Sequence, residues 1–227
     1  MIAETQALEK LALKLESDQH RYGWDEPPVF ARVYGEQTRP GLYGFGISEV
    51  PVPDQVLQER PFPETLREMS LLMRYGRKYA TDDAPDELFD MLAEVHRQSA
   101  ADNFVGYTLI CEAWMNNELG EEEARKGTHR PLADIVGSKE VRTVYIADVG
   151  GRLIYAQRIR GEKPTVVVTG AGAGDDTFKA SGRLAKALRD YTWCTARHCR
   201  PDLVDLEAID RMVMEDGEDE HDCDVHG

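Results

Sequence analysis

A chain of 227 residues with 41% hydrophobic and 8% aromatic side chains carries enough apolar material for a full core, so folding requires neither a metal nor disulfide staples. The formal net charge is −15, and so acidic a chain offers no footprint for nucleic-acid phosphates, which argues against a DNA- or RNA-binding protein. The charge is uneven: from Asp202 to Gly227 eleven acids face one base, Arg211, for a net of −10, leaving only −5 on the rest of the chain.

The opening MIAETQALEKLALKLES lacks the basic and apolar blocks of a secretory signal. No window reaches the run of about 18 apolar residues that crosses a bilayer. Cys111, Cys194, Cys199 and Cys223 are too sparse for a disulfide framework, so a soluble cytoplasmic protein is expected.

Over residues 4–20, Leu8, Leu11 and Leu15 share one helical face, and Gly23 with Pro27-Pro28 ends the helix. VFARVYG (29–35) reads as a strand. PGLYGFGISEV (40–50) reads as a weaker one, because Gly41, Gly44 and Gly46 lower strand propensity. After a proline-punctuated connector, two amphipathic helices are predicted, from about Glu64 to Tyr79 and from about Asp83 past Val95. FVGYTLICEAWM (104–115) is a long strand. Residues 116–140 form an excursion too long to be an ordinary connection, with a short helix expected at Glu121–Lys126.

VRTVYIADVGGRLIYAQRI alternates on both sides of Gly150-Gly151 and predicts a hairpin of strands 141–148 and 153–159 with a tight primed turn. PTVVVTG (164–170) adds a third strand, a helix follows from about Asp176 to Tyr191, and a short helix from Pro201 to Met214 precedes the acidic tail. Grouped strands joined by short turns favour α+β over a doubly wound fold: an antiparallel sheet of five or six strands packed on helices. Residues 1–200 are expected to form one domain, with the short helix and a disordered acidic tail occupying 201–227.

Gly170, Gly172, Gly174, Asp175 and Asp176 lie where a strand gives way to a helix, a geometry that can cradle an anion. Gly172-Ala173-Gly174-Asp175 resembles the anion-hole signature of ribokinase-like sugar kinases, and that resemblance implies a base role for Asp175 and a phosphate- or nucleotide-handling enzyme. The flanking residues depart from the pattern: Thr169-Gly170-Ala171 replaces the upstream Asp-Thr, and Phe178 sits one position too far along. The two acids suit a helix N-cap better than a phosphate. Gly170, Gly172 and Asp175 do not complete a dinucleotide fingerprint either.

Zinc ligands could be drawn from Cys194, His198 and Cys199, or from His221, Asp222, Cys223 and His226, but neither spacing gives two tight pairs. No metal or other cofactor is therefore expected. Cys111, amid apolar neighbours, reads as core, and Trp24, Trp114 and Trp193 as core or interface aromatics. GWDEPPVFARVYG and VRTVYIADVGGRLIYAQRIRG resemble the pattern of an uncharacterised family of actinobacterial proteins, which implies an actinobacterial or actinophage origin and no particular chemistry.

No catalytic constellation stands out, so a non-enzymatic module is expected, one that binds a protein partner through its folded surface and its acidic tail. Glu218, Asp219, Glu220, Asp222 and Asp224 are the candidate partner-binding residues. The alternatives are the phosphate-handling loop and an acidic nucleic-acid mimic that blocks a DNA- or RNA-binding protein.

Overall fold

The computed structural model describes residues 2–39, 42–50, 52, 65–67, 69–70, 103–115, 134, 137–169 and 183–199. In chain order they form helix α1 (Ile2–His20), strands β1 (Val29–Arg39), β2 (Leu42–Glu49), β3 (Phe104–Met115), β4 (Lys139–Asp148), β5 (Leu153–Ile159) and β6 (Thr165–Thr169), and helix α2 (Arg183–Cys199). The strands make one antiparallel sheet in the order β2-β1-β3-β4-β5-β6, the α+β architecture that grouped strands and short turns imply. No helix among the described residues is long and apolar enough to cross a membrane.

Two compact units divide the chain. The first gathers the described residues within Met1–Val52, Asn103–Ile146 and Leu153–Val168. There α1 lies against β5 and β2 and buries Leu8, Leu11, Ala12 and Leu15 with Val33, Ile110, Val144, Ile146, Ile154 and Ala156. The strand residues in this cluster follow the period of two that places alternate side chains on one face. On the other face Phe30 stacks on Tyr107 at 5.2 Å between centroids, and Phe104, carried out of parity by the register irregularity at Val33/Tyr34, meets the same ring edge-on at 5.2 Å.

Strand β2 forms over eight residues despite its glycines. Its register supplies the reason. Gly46 lies opposite Tyr34, and Gly35 opposite Phe45. A Cβ on Gly46 would fall 2.4 Å from the Tyr34 ring, and one on Gly35 would fall 2.9 Å from the Phe45 ring. Each aromatic covers the glycine across from it, restoring the cross-strand contact that a missing side chain would forfeit.

The β4–β5 hairpin matches the alternation in its sequence, and β4 starts two residues earlier than expected. Its turn differs from the expected one. Asp148 N–H donates to the Arg152 carbonyl at 3.0 Å, Gly151 N–H donates to the Asp148 carbonyl at 3.1 Å, and Gly151, with φ +79°, is the glycine of the pair that is left-handed. That is a three-residue loop with its left-handed residue last, not a two-residue primed turn. The Asp148 side chain accounts for it, accepting Arg152 N–H at 2.8 Å and pairing with the Arg152 guanidinium at 2.5 Å.

The second unit holds the described residues within Pro53–Asp102, Ala147–Arg152 and Thr169–Gly227. Residues 65–67 and 69–70 are helical, Leu66 and Met69 are buried, and Ser70 Oγ donates back to the Leu66 carbonyl at 2.8 Å. The rest of the two expected central helices lies outside the described residues, as do the Glu121–Lys126 and Pro201–Met214 helices. Helix α2 runs to Cys199, eight residues beyond the expected end, because Trp193, Cys194 and Ala196 continue its buried surface. The hydroxyls of Thr192 and Thr195 donate to the carbonyls four residues back at 2.8 and 3.0 Å, so the helix buries them satisfied.

A Cβ on Gly151 would meet the Trp193 ring at 3.1 Å, in a conformation that L residues resist. A Cβ on Gly150 would only reach ordinary contact with Asp148. Gly151→Ala is therefore expected to cost about 1 kcal/mol or more, and Gly150→Ala well under half of that. Urea denaturation of the two variants checks the order, and equal losses would refute the turn geometry.

Candidate functional site

The most concentrated chemistry among the described residues sits on the α1-covered face, at the end away from the hairpin turn. Four elements supply it by simple periodicity. Glu16 continues the α1 row of Leu8 and Ala12 at four-residue spacing. Glu112 is two residues beyond Ile110 on β3, Arg142 and Glu140 precede Val144 on β4, and Arg158 follows Ala156 on β5. Charged side chains thus occupy positions whose parity points inward.

The hairpin register makes this arrangement demanding. Asp148 bonds Arg152, and Arg160 N–H donates to the Glu140 carbonyl at 2.9 Å, so Arg142 stands opposite Arg158. Like charges directly across an antiparallel pair repel, and Arg142 is fully buried. Glu16, also fully buried, resolves the conflict. Its two oxygens accept from Arg158 Nε and Nη2 at 2.5 and 2.6 Å, and it lies 3.9 Å from Arg142 Nη1. This forked pairing raises the Arg158 pKa, chiefly through the hydrogen bond to Glu16.

Arg142 has a second carboxylate. Its Nε and Nη2 donate to Glu112 Oε1 at 2.9 and 2.5 Å, and Nη2 also bonds the Gly23 carbonyl. The other Glu112 oxygen accepts Asp25 N–H at 2.6 Å. The segment Gly23-Trp24-Asp25 therefore folds over the cluster, with Gly23 at φ +110° and Asp25 at φ +71°. The Trp24 ring lies 4.6 Å from the Arg142 guanidinium carbon and 5.3 Å from that of Arg160, which bonds Glu140 in turn.

One carboxylate oxygen from each of Asp25, Glu112 and Glu140 lies within 4.8 Å of the other two, close enough to face a single cation. Arg142 already bonds Glu112 and Arg160 already bonds Glu140, so two of the three negative charges are compensated by protein. The donor set is that of an ion-pair network, and a divalent metal would have to displace a guanidinium.

On the opposite face of β3, burial, with the Glu112 carboxylate adding, pushes the Cys111 thiol up to about 12. Tyr145 is likewise pushed up to about 12, by burial first and then by Cys111. Thiol chemistry at neutral pH is therefore suppressed, although Cys111 is half-buried and not part of the core expected for it.

Gly170, Gly172, Gly174, Asp175 and Asp176, and the acids Glu218, Asp219, Glu220, Asp222 and Asp224, lie outside the described residues. Cys194 is buried in α2. Sequence reasoning missed the Glu16–Arg142–Arg158 network, although a signal existed: charges at core parity on α1, β3, β4 and β5. No family model matches the chain, and neither a curated protein nor a solved structure matches it.

Two consequences can be measured. Glu16→Ala leaves two opposed arginines with their shared carboxylate gone and should cost about 3–5 kcal/mol in urea denaturation. Adding Arg142→Met and Arg158→Met to Glu16→Ala should recover much of it, whereas a single-variant loss below about 1 kcal/mol would show that the network is not structural.

The second concerns alkaline pH. Cys111 and Tyr145 have folded pKa values above their ordinary values of 9.0 and 10.0, so the folded state binds their protons more tightly. Their contribution is complete below pH 9 and is lost as pH rises toward 12, by up to about 1.4 kcal/mol per unit for each group. Cys111→Ala should flatten the fall that begins near pH 9. An unchanged profile would contradict the raised thiol pKa.

Proposed function

We propose that this chain is a non-enzymatic cytoplasmic module that binds a basic protein partner through its folded surface and its acidic segment 202–227. The observation that carries the reading is the division of charge, −10 on 26 residues against −5 on the remaining 201. Such a segment cannot pack on itself without repulsion and gains most by meeting an oppositely charged surface. The arrangement of the body supports this. Arg142, Arg152, Arg158 and Arg160 are each bonded to a carboxylate of the same chain, so they offer little to neutralise the acidic segment. Glu218, Asp219, Glu220, Asp222 and Asp224 form the densest part of the segment and are the proposed contact residues.

Affinity capture from the producing cell tests the reading, comparing the wild-type chain with one carrying Gln or Asn at those five positions. A partner should be retained at 50 mM salt, be released well before 500 mM, and be lost in the variant, because screening shortens the reach of charge to about 10 Å at 0.1 M ionic strength. Recovery of the same proteins by both chains at every salt concentration would defeat it. The nucleic-acid mimic is the special case in which the partner binds DNA or RNA, and an oligonucleotide would then displace the module.

A further inference from the structure

The two terminal strands of the sheet are protected differently. β6 is five residues long and follows Lys163-Pro164, a charge and a proline that discourage further pairing. β2 is eight residues long, LYGFGISE, with no proline or lysine, and its one charge, Glu49, is its last residue. Val50 N–H donates to the Phe30 carbonyl at 2.8 Å, so the even residues of β2 turn their backbone groups toward β1. Those of Tyr43, Phe45, Ile47 and Glu49 consequently point outward, and no described strand pairs with them.

Beside this edge stands a guanidinium without a counter-charge. Arg32 is half-buried on the face away from α1 and reaches across to β2, where its Nη2 donates to Ser48 Oγ at 2.8 Å. Its Nε is enclosed and unbonded, and no carboxylate among the described residues pairs with it. Arg142, Arg152, Arg158 and Arg160 each have one. A partly buried charge gains most from an opposite charge held against it.

Parity selects what can supply that charge. A strand added antiparallel to β2, like the other pairs of this sheet, sets one residue opposite Ser48 on the same face, in the unbonded type of pair whose side chains lie closest. A second copy's β2 could place only Leu42, Gly44, Gly46 or Ser48 there, because outward-turned residues pair with outward-turned residues. A second copy's β6, TVVVT, holds no acid. Neither edge of this fold supplies the missing carboxylate. On the opposite face of an added strand the neighbours are Phe45 and Ile47, packed against the α1 core, which favour apolar side chains. The fitting segment is extended, acidic at alternate positions and apolar between them.

We propose that the outer edge of β2 takes up such a segment of a partner protein as an added strand, with an Asp or Glu carboxylate of that segment held by Arg32 and Ser48. This contact goes beyond the capture of a basic surface by residues 202–227 and uses the opposite charge.

The test is titration of the full chain with acetyl-Thr-Val-Glu-Val-Glu-Val-Thr amide, read by NMR shifts and amide exchange. Saturable binding is expected, with slowed exchange at the Phe45, Ile47 and Glu49 amides. The peptide with Gln for both Glu should bind at least about tenfold more weakly, the effect of one charge-assisted hydrogen bond. Arg32→Gln should erase that preference, which a merely structural arginine would not do. N-methylation of the peptide's valines should abolish binding, and so should Glu49→Pro, which removes an outward N–H while leaving the β1 ladder intact.

The variant with five neutralised acids in 202–227 should bind the peptide as the wild type does while losing salt-sensitive capture, so the two readings fail separately. A tenfold gain there would show that the chain's own segment holds the edge, and self-association abolished by Glu49→Pro would show that a second copy does; either overturns the proposal. Equal binding of the Gln or N-methylated peptide by the wild type, inorganic phosphate binding as tightly as the peptide, or no saturation by about 10 mM would overturn it as well.

Discussion

The fold around α1 depends on one carboxylate. Glu16 stands between Arg142 and Arg158, which the hairpin register sets directly opposite each other, and all three are buried or nearly so. Without it the register would place two cations against each other beneath a helix. With it, the helix is tied to both strands of the hairpin at its C-terminal end, as Leu8, Leu11 and Ala12 tie it along its length. The effect propagates. Arg142, fixed by Glu16 and Glu112, holds the Gly23 carbonyl, and Glu112 holds the Asp25 amide, so the chain's path from α1 toward β1 is set by hydrogen bonds to the sheet.

Strands were legible because a pleated surface sorts residues by parity. FVGYTLICEAWM declared β3 to its exact limits, and alternation around the double glycine declared β4 and β5. The expectation that glycines weaken residues 40–50 holds for isolated propensity. It could not foresee that Tyr34 and Phe45 lie across from Gly46 and Gly35, since register is a property of two strands together. The overshoot of α2 has a different root: Trp193, Cys194 and Ala196 continue its buried surface, and the threonines that lower helix propensity bond back to their own helix and are buried satisfied.

The charged cluster was written in the sequence in a form that single-residue reasoning passes over. Arg142 in VRTVYIA and Arg158 in LIYAQRI look like solvated charges until parity is counted from Val144 and Ile154. Glu16 looks like an ordinary exposed helix acid until it is aligned with Leu8 and Ala12. Gly23-Trp24-Asp25 drew notice as a pattern, and its physical role is now plain: an aromatic lid with two left-handed residues around it. Which carboxylate meets which guanidinium depends on the placement of helix on sheet, and no local pattern encodes that.

The strand order has a consequence for the entropy of assembly. β1 lies between β2, its immediate successor, and β3, so Val29 pairs with Ile110, eighty-one positions along the chain. Asp148 and Arg152 close their hairpin across four. Each doubling of a loop adds roughly 0.6 kcal/mol to its closure, so the long joint costs roughly 2–3 kcal/mol more than the short one before any contact repays it. Two ribbons, β1–β2 and β4–β5, can zip locally, while the seam between β1 and β3 must be found by search through a much larger volume. In a sheet of this topology that seam, rather than either hairpin, sets the entropic barrier.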